Sequence, residues 1–238
     1  MQCVILAGGL GMRLWPMTQK FPKTLIPING RPFAAYQLTW LSRQGITDVV
    51  FCIGYLGAQI RGALGDGSRF GLTVRYVDEG EDLKGTGGAL RGALDAGVLA
   101  EVFFVLYGDS FLPVQFAPVL AAFRASGCRA LMTVMRNEHR WDRSNAVFAA
   151  PFVTLYDKQC DDATRARMKY IDYGLSVFAR DLIAERIPAG AKVDLAELFK
   201  QMSLAGELAG LEITDRFYEV GSQAGIADFS QFVARAGL

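Results

Sequence analysis

Val4-Ile5-Leu6-Ala7-Gly8-Gly9-Leu10-Gly11-Met12-Arg13-Leu14-Trp15-Pro16 stands near the start of the chain and leads on to Pro22-Lys23. Val4 to Ala7 is a short apolar run, long enough for a buried strand and too short for a helix. Three glycines in four residues follow. Glycine permits positive φ and lets a ligand approach the backbone without meeting a Cβ. A glycine-rich turn after a buried strand presents its N–H groups outward and makes a seat for anions such as phosphates. Arg13 adds a planar fork of donors, and Lys23 adds a compact, mobile charge. Oriented amides and two cations in one bend are what a triphosphate requires.

The familiar glycine motifs do not fit. The dinucleotide fingerprint needs a third glycine that the run from Gly9 lacks, and no Gly-Lys pair occurs for a Walker-type loop. Instead Leu6-Ala7-Gly8-Gly9, Gly11, Arg13-Leu14, Pro16, Thr18, Pro22-Lys23, Pro27, Gly30 and Pro32 keep step over Leu6 to Pro32. This pattern resembles the signature of the sugar-1-phosphate nucleotidyltransferases, the NDP-sugar pyrophosphorylases. It is most similar to their short bacterial branch, which includes mannose-1-phosphate and heptose-1-phosphate guanylyltransferases. The run Gly65-Asp66-Gly67-Ser68-Arg69-Phe70-Gly71-Leu72 also resembles N-acetylmuramate-1-phosphate uridylyltransferases.

Composition narrows the classes further. The chain has 238 residues, half of them apolar, which is enough for one large α/β core. Lys plus Arg is 25 against 24 for Asp plus Glu, so neither nucleic acid nor a membrane surface is expected as the main partner. No apolar stretch is long enough to span a bilayer, and no basic segment precedes the first apolar run, so no signal peptide is expected. Cys3, Cys52, Cys128 and Cys160 form no CxxC; Cys3 and Cys52 read as small buried hydrophobes in a reducing, cytoplasmic setting. His139 is the one histidine and reads as a surface residue. Chemistry that needs a histidine base or a histidine metal cluster is therefore disfavoured.

Apolar periodicity predicts strands at Val4–Ala7, Val49–Ile53, Leu72–Val77 and Val102–Leu106. Helices are expected between them, opened by Pro32, over Ala58–Leu64 and over Gly87–Leu94. This alternation builds right-handed βαβ units and a parallel sheet covered on both faces. Past Phe116–Arg124, short strands recur at Ala130–Met135, around Ala149-Ala150-Pro151, at Gly174–Phe178, at Leu208–Ile213 and at Phe217–Val220. Helices are expected at Leu195–Leu204 and after Ser222, and Cys160 to Lys169 reads as a charged, solvated loop. The expectation is one nucleotidyltransferase domain over residues 1–238, a three-layer αβα Rossmann-like fold with a mostly parallel sheet and antiparallel additions. Residues 1–113 would carry mainly the nucleotide and 114–238 mainly the sugar. No length is left for the β-helix appendage of some relatives.

Further candidates fall at strand C-terminal ends, where ligands gather in such sheets. Lys84-Gly85-Thr86-Gly87-Gly88 resembles the family segment that presses against base and ribose. Asp109, in Tyr107-Gly108-Asp109-Ser110, corresponds to the family's metal aspartate, and a carboxylate there suits Mg²⁺, which takes one or two carboxylates plus phosphate oxygens and water. Glu219 stands where the family usually has a second aspartate. The resemblance implies a nucleotide site of Leu6, Ala7, Gly8, Gly9, Gly11, Met12, Arg13, Lys23, Gly85, Thr86 and Gly108. It implies a sugar site of Asp109, Asn145, Asp157, Lys158, Asp172 and Gly174, with Asp109 and Glu219 on the metal. Asp157-Lys158 resembles the family's Glu-Lys pair, whose carboxylate holds sugar hydroxyls and whose lysine meets the sugar phosphate. Ser144-Asn145 replaces the Tyr-Gly of many relatives.

The expected reaction is Mg²⁺-dependent transfer of a nucleotidyl group from an NTP, GTP favoured, to a mannose- or heptose-type 1-phosphate, with Arg13, Lys23 and Asp109 catalytic. A monomer or homodimer is expected. The rival readings are a cytidylyltransferase acting on phosphocholine or a phosphonate, and a non-catalytic nucleotide-sugar sensor. A sensor would tend to lose Arg13, Lys23 or Asp109, and all three are present.

Overall fold

The computed structural model describes all 238 residues. Strand β1 (Gln2–Ala7) opens the chain. A hairpin of β2 (Pro27–Ile28) and β3 (Arg31–Pro32) leads into α1 (Phe33–Arg43). Then come β4 (Asp48–Ile53), α2 (Gly57–Leu64), β5 (Thr73–Asp78), α3 (Gly85–Asp95), β6 (Val102–Tyr107), β7 (Ser110–Phe111) and α4 (Phe116–Ser126). The second half carries β8 (Ala130–Arg136), β9 (Ala146–Ala149), β10 (Phe152–Tyr156), the one-turn α5 (Asp162–Arg165) and β11 (Tyr170–Ala179). It ends with α6 (Arg180–Arg186), α7 (Leu195–Ala205), β12 (Leu208–Glu212), β13 (Tyr218–Glu219) and α8 (Gln223–Ala236).

One nine-stranded sheet joins the two halves in the order β5-β4-β1-β6-β11-β8-β12-β10-β9. The first four strands are parallel, with Cys3 paired to Val49 on one side and Phe104 on the other. Every residue of β1 is buried, as a central parallel strand covered on both faces must be. Strand β11 then enters antiparallel between β6 and β8, Leu175 opposite Leu106. Beyond it β8 and β12 are parallel, and β10 and β9 close the edge antiparallel.

Alternate residues of the strands feed two cores. On one face Phe51, Phe104 and Leu175 pack with Leu38 of α1, Ile60 of α2 and Val119 of α4. On the other Val4, Phe103 and Phe178 pack with Leu90 of α3, Ile183 of α6 and Phe199 of α7. These are the three layers.

Several elements differ from the sequence expectation, among them the two-residue strands β2, β3 and β7, which are too short to show an apolar pattern. Strand β11 begins at Tyr170, ahead of the expected Gly174. Its opening carries Asp172 and Gly174, and its register against β8 breaks between Asp172 and Ser176, so the apolar alternation is interrupted there. Helix α6 follows β11 without a linker and buries only Leu182 and Ile183, which is too short a run to show a helical period. Within the stretch read as a solvated loop, Asp161 caps the single turn α5 by accepting from the Thr164 amide.

Helix α8 returns to the N-terminal half and closes a third apolar cluster. Phe229 is fully buried, with its ring centroid 5.1 Å from Phe33 and 5.0 Å from Phe111. Ser222 caps the helix through the Gly225 amide. The same cluster holds Val220, so α8 fixes the short β7–β13 ladder in which Glu219 pairs with Ser110. Phe229→Ala is expected to destabilise the fold by about 3–5 kcal/mol, the range for truncating a buried aromatic. Urea denaturation followed by far-ultraviolet circular dichroism would measure it.

Candidate active site

The C-terminal ends of β1, β4, β5 and β6 surround a cleft of about 260 Å³. Leu6, Ala7, Gly8 and Gly9 form one wall, and Gly85, Thr86 and Ala89 from the start of α3 form another. Lys23, Gly108 and Asp109 stand at one end, and Glu79 and Leu83 also line it. A second cavity of about 380 Å³ adjoins the first and is far more polar. Arg13, Asn145, Lys158, Asp172, Gly174 and Glu219 line it, together with Asp142, Arg143 and Arg165. Tyr107 and Asp109 belong to both. At this junction Lys23 Nζ donates to Asp109 Oδ2 at 2.7 Å, both side chains being only partly exposed.

Local packing explains why these residues meet. Gly108 must be glycine, because a Cβ would lie 2.9 Å from that of Ala7 and 3.0 Å from the Leu6 carbonyl oxygen. Its amide donates to that carbonyl, which holds the Asp109 turn against the end of β1. Buried Gln37 of α1 donates to the carbonyls of Tyr107 and Ser110, at 3.0 and 2.7 Å, and clamps the same turn from below. The Val220 amide donates to the Asp109 carbonyl, which brings Glu219 beside Asp109. At Gly11 the backbone is left-handed (φ 66°), and a Cβ there would lie 2.8 Å from Cγ of Lys23. Gly11 thus lets the lysine stem lie along the glycine turn, and Thr18 closes that turn by donating to the Gly11 carbonyl.

The α3 segment is equally fixed. The Gly87 and Gly88 amides donate to the Val193 carbonyl, and a Cβ on Gly85 would lie 2.7 Å from that oxygen. Thr86 donates to Asp194, the cap of α7, and accepts from the Leu195 amide.

Charge in the second cavity is unevenly solvated. Enclosure by the cleft walls, and then the Asp109 carboxylate, push Glu219 up to about 7, while Arg13 opposes the shift; the carboxylate still reaches solvent. Burial also raises Asp172, opposed by Lys158 and by the Gly174 amide that it accepts at 2.9 Å. The Asn145 side chain accepts from the Asp172 amide at 2.9 Å.

Not every expected residue enters a cavity. Met12 is exposed and, like Gly11, lines neither. Arg13 lies in the second cavity, not the first, and a Cβ on Gly221 would come within 3.0 Å of its guanidinium. Asp157 is turned aside: its carboxylate meets Lys200 of α7 at 2.6 Å, which lowers its pKa, and only Lys158 of the pair reaches the cavity. A lysine 43 positions away on a helix is invisible to motif reading. Glu79, Tyr107 and Arg165 were not anticipated. Glu79 and Tyr107 sit at strand ends, so the rule of strand termini could have found them. Arg165 sits in the charged stretch and is held by the carbonyls of Ser144, Lys158 and Cys160. Exposed His139 lines neither cavity.

Comparison with known proteins agrees with this geometry. The family model described as nucleotidyl transferase matches residues 2–147, more than half of the chain. The chain belongs to the nucleotidyl transferase family. An N-acetylmuramate alpha-1-phosphate uridylyltransferase of Neisseria meningitidis is 27% identical over 224 residues, 93% of this chain and 94% of that protein. A mannose-1-phosphate guanylyltransferase of Mycobacterium tuberculosis is 31% identical over 213 residues, 86% of this chain but 56% of that longer protein. The fold is that of HddC from Yersinia pseudotuberculosis, crystallised with GMP-PN, with a TM-score of 0.78, 19% identity and coverage of 97% and 98% of the two chains. Both sequence relatives of this nucleotidyl transferase are named for sugar 1-phosphates, one with a uridylyl and one with a guanylyl group. No helix is long and apolar enough to cross a membrane.

The raised carboxylates have a measurable consequence. Glu219 is protonated up to about pH 7 when folded but only to about 4.5 when unfolded, so the folded state holds the extra proton between those values. The contribution of Glu219 to stability therefore falls as pH rises from about 4.5 through about 7, and Glu79 and Asp172 act in the same direction. In thermal melts of the ligand-free protein, Glu219→Gln is expected to flatten this decline. An unchanged slope would show that Glu219 titrates normally.

Proposed function

We propose that this nucleotidyl transferase moves a nucleotidyl group from an NTP to a sugar 1-phosphate, forming an NDP-sugar and releasing pyrophosphate. The observation that carries the reading is the meeting of an apolar cleft and a polar cavity at one charged junction, the Lys23–Asp109 pair. The first would hold the nucleotide against Gly8, Gly9, Gly85 and Thr86. The second would hold the sugar phosphate among Asn145, Lys158, Asp172 and Gly174. GTP with a mannose- or heptose-type phosphate is the favoured pair, supported by the guanylyltransferase relative.

In the proposed reaction a phosphate oxygen of the acceptor attacks the α-phosphorus of the NTP. The bond to that oxygen forms while the bond to the β-phosphate bridge breaks, and pyrophosphate leaves. The attacking phosphate is already ionised at neutral pH, so no general base is needed, in keeping with a site without histidine. Catalysis is then positioning and charge stabilisation. Lys23 would stand where negative charge gathers, near the α-phosphate and the incoming phosphate. Arg13, on the acceptor side, would serve the phosphate charge near Glu219.

The donor set fits magnesium. Asp109, in the turn before β7, and Glu219, on β13 beside it, are hard oxygen ligands, and no cluster of three or more acidic, histidine or cysteine side chains is present. That leaves an ion free to take its remaining ligands from phosphate and water. When bound, it would offset the repulsion between the two phosphates and orient them.

Arg13→Ala, Lys23→Ala and Asp109→Ala are each expected to lose about 10²–10³-fold in turnover with the fold retained, the usual effect of removing one charge-stabilising contact. Pyrophosphate release across a panel of NTPs and sugar 1-phosphates, with Mg²⁺ and then with EDTA, tests the reading. Near-normal turnover of Lys23→Ala would exclude its assigned role. Release with phosphocholine and CTP, and none with sugar phosphates, would replace the acceptor.

A further inference from the structure

The second cavity carries cations that the transfer of a nucleotidyl group leaves unused. Its inner end is the junction with the first cavity, marked by Tyr107 and Asp109, which line both. Lys158 reaches that way, its ammonium 5.9 Å from the centre of the Tyr107 ring. Arg143 and Arg165 line the second cavity but not the first. Neither forms an ion pair, whereas Arg129, Arg186 and Arg216 elsewhere each do.

The backbone fixes both arginines. Arg165 donates to the carbonyls of Ser144, Lys158 and Cys160 at 3.3, 3.2 and 3.1 Å. Those bonds occupy three of the five guanidinium N–H donors and leave Nε–H and one on Nη1, with the positive charge intact. Arg143 directly precedes Ser144, so the two cationic residues meet at one carbonyl. Its turn is braced from within. Buried Asn137 donates to the Asp142 carbonyl at 2.7 Å and to Ser144 Oγ at 3.1 Å, and it accepts from the Trp141 amide at 3.0 Å. The Arg216 guanidinium covers the Trp141 ring at 4.0 Å. The neighbouring acids are engaged elsewhere. Glu138 pairs with Arg136, and Asp157 feels Arg165 but is paired with Lys200. Asp142 accepts from the Arg143 amide at 2.6 Å, and its charge bears on Glu219.

Two unpaired guanidinium groups on one wall make a positive potential that an anion offsets, and their planar donors match carboxylate and phosphate oxygens. The acceptor's own 1-phosphate is not that anion. Transfer requires it at the junction, beside Lys23 and within reach of the donor phosphorus. Resting on the nucleotidyl-transfer reading above, we propose that the sugar 1-phosphate taken by this site bears a second acidic group, a carboxylate or a second phosphate, remote from C1 and held by Arg143 and Arg165.

Matched acceptors test this. Glucose 1-phosphate and glucuronic acid 1-phosphate differ only at C6, hydroxymethyl against carboxylate. Mannose 1-phosphate and mannose 1,6-bisphosphate differ only by the second phosphate. N-Acetylglucosamine 1-phosphate and N-acetylmuramic acid 1-phosphate differ only by the acidic ether at O3. Pyrophosphate release is followed with Mg²⁺ and with GTP and UTP in turn. A charge-assisted hydrogen bond predicts kcat/KM about tenfold or more higher for the acidic member of at least one pair. Preference for the bisphosphate identifies a phosphate, and preference for either other acid identifies a carboxylate. Arg143→Gln and Arg165→Gln are each expected to lower the acidic-to-neutral ratio by about tenfold, and Arg143→Lys to restore part of it. Arg165→Gln also leaves three carbonyls without their donor, so exposed Arg143 carries the test if that protein does not fold.

Neutral members used as well as acidic ones in all three pairs would overturn the proposal. So would an equal loss with both members of a pair in folded Arg143→Gln, which would assign the arginine to the 1-phosphate. If no acceptor yields pyrophosphate with either triphosphate, the transfer reading fails instead, and calorimetric binding of the same pairs still decides whether the arginines hold a second acid.

Discussion

A lysine ammonium held 2.7 Å from an aspartate carboxylate, at the seam between two cavities, is the contact around which the protein is arranged. Neither charge is fully solvated, so each needs the other or a ligand in its place. Around the pair the backbone is packed so tightly that glycine is obligatory on both sides. Gly11 makes room for the lysine stem and Gly108 for the end of β1. Gln37 of α1 from beneath, Val220 from the side and the Leu6 carbonyl of β1 bind the aspartate turn, so its position is set by three separate segments. The geometry of the site is thus a product of the core, not of the loops that border it.

The two cavities divide the labour by polarity. The first has apolar walls and backbone amides, with charge only at its two ends. The second is lined by ionic side chains: Asp172 of β11, Glu219 of β13, Arg165 of α5, and Arg13, Asp109, Asp142, Arg143 and Lys158 from the segments between elements. The break in register on β11 places Asp172 and Gly174 at the cavity, and Asn145 secures that irregular backbone by accepting from it. Helix α7 touches both regions, through Asp194 with Thr86 at one end and Lys200 with Asp157 further along.

The first half of the fold was readable because each strand is a short apolar block and each helix is bounded by proline or glycine. That the glycine turn, Lys23 and Asp109 meet at one cleft is legible because the residues keep a fixed spacing around short apolar strands. Strand β11 reads as shorter than it is because its opening, with the register break between Asp172 and Ser176, interrupts the alternation that marks a strand. Asp157 misled because its partner lies on a distant helix, and pairing across a fold leaves no local trace. Arg13 is expected beside the nucleotide but lines the second cavity, since spacing says nothing of which way a side chain leaves a tight turn. Glu79 belongs to no motif, and only the assembled cleft makes a lone carboxylate conspicuous.

One feature of the sheet governs how the reactants can meet. Strand β6, which ends in Tyr107, is hydrogen-bonded to β1 on one side and to antiparallel β11 on the other. The two cavities therefore rest on neighbouring strands of a single sheet, not on two bodies joined by a hinge. Their separation cannot be altered by swinging one half of the molecule over the other. Their spacing is set by the hydrogen bonds that β6 shares with β1 and β11.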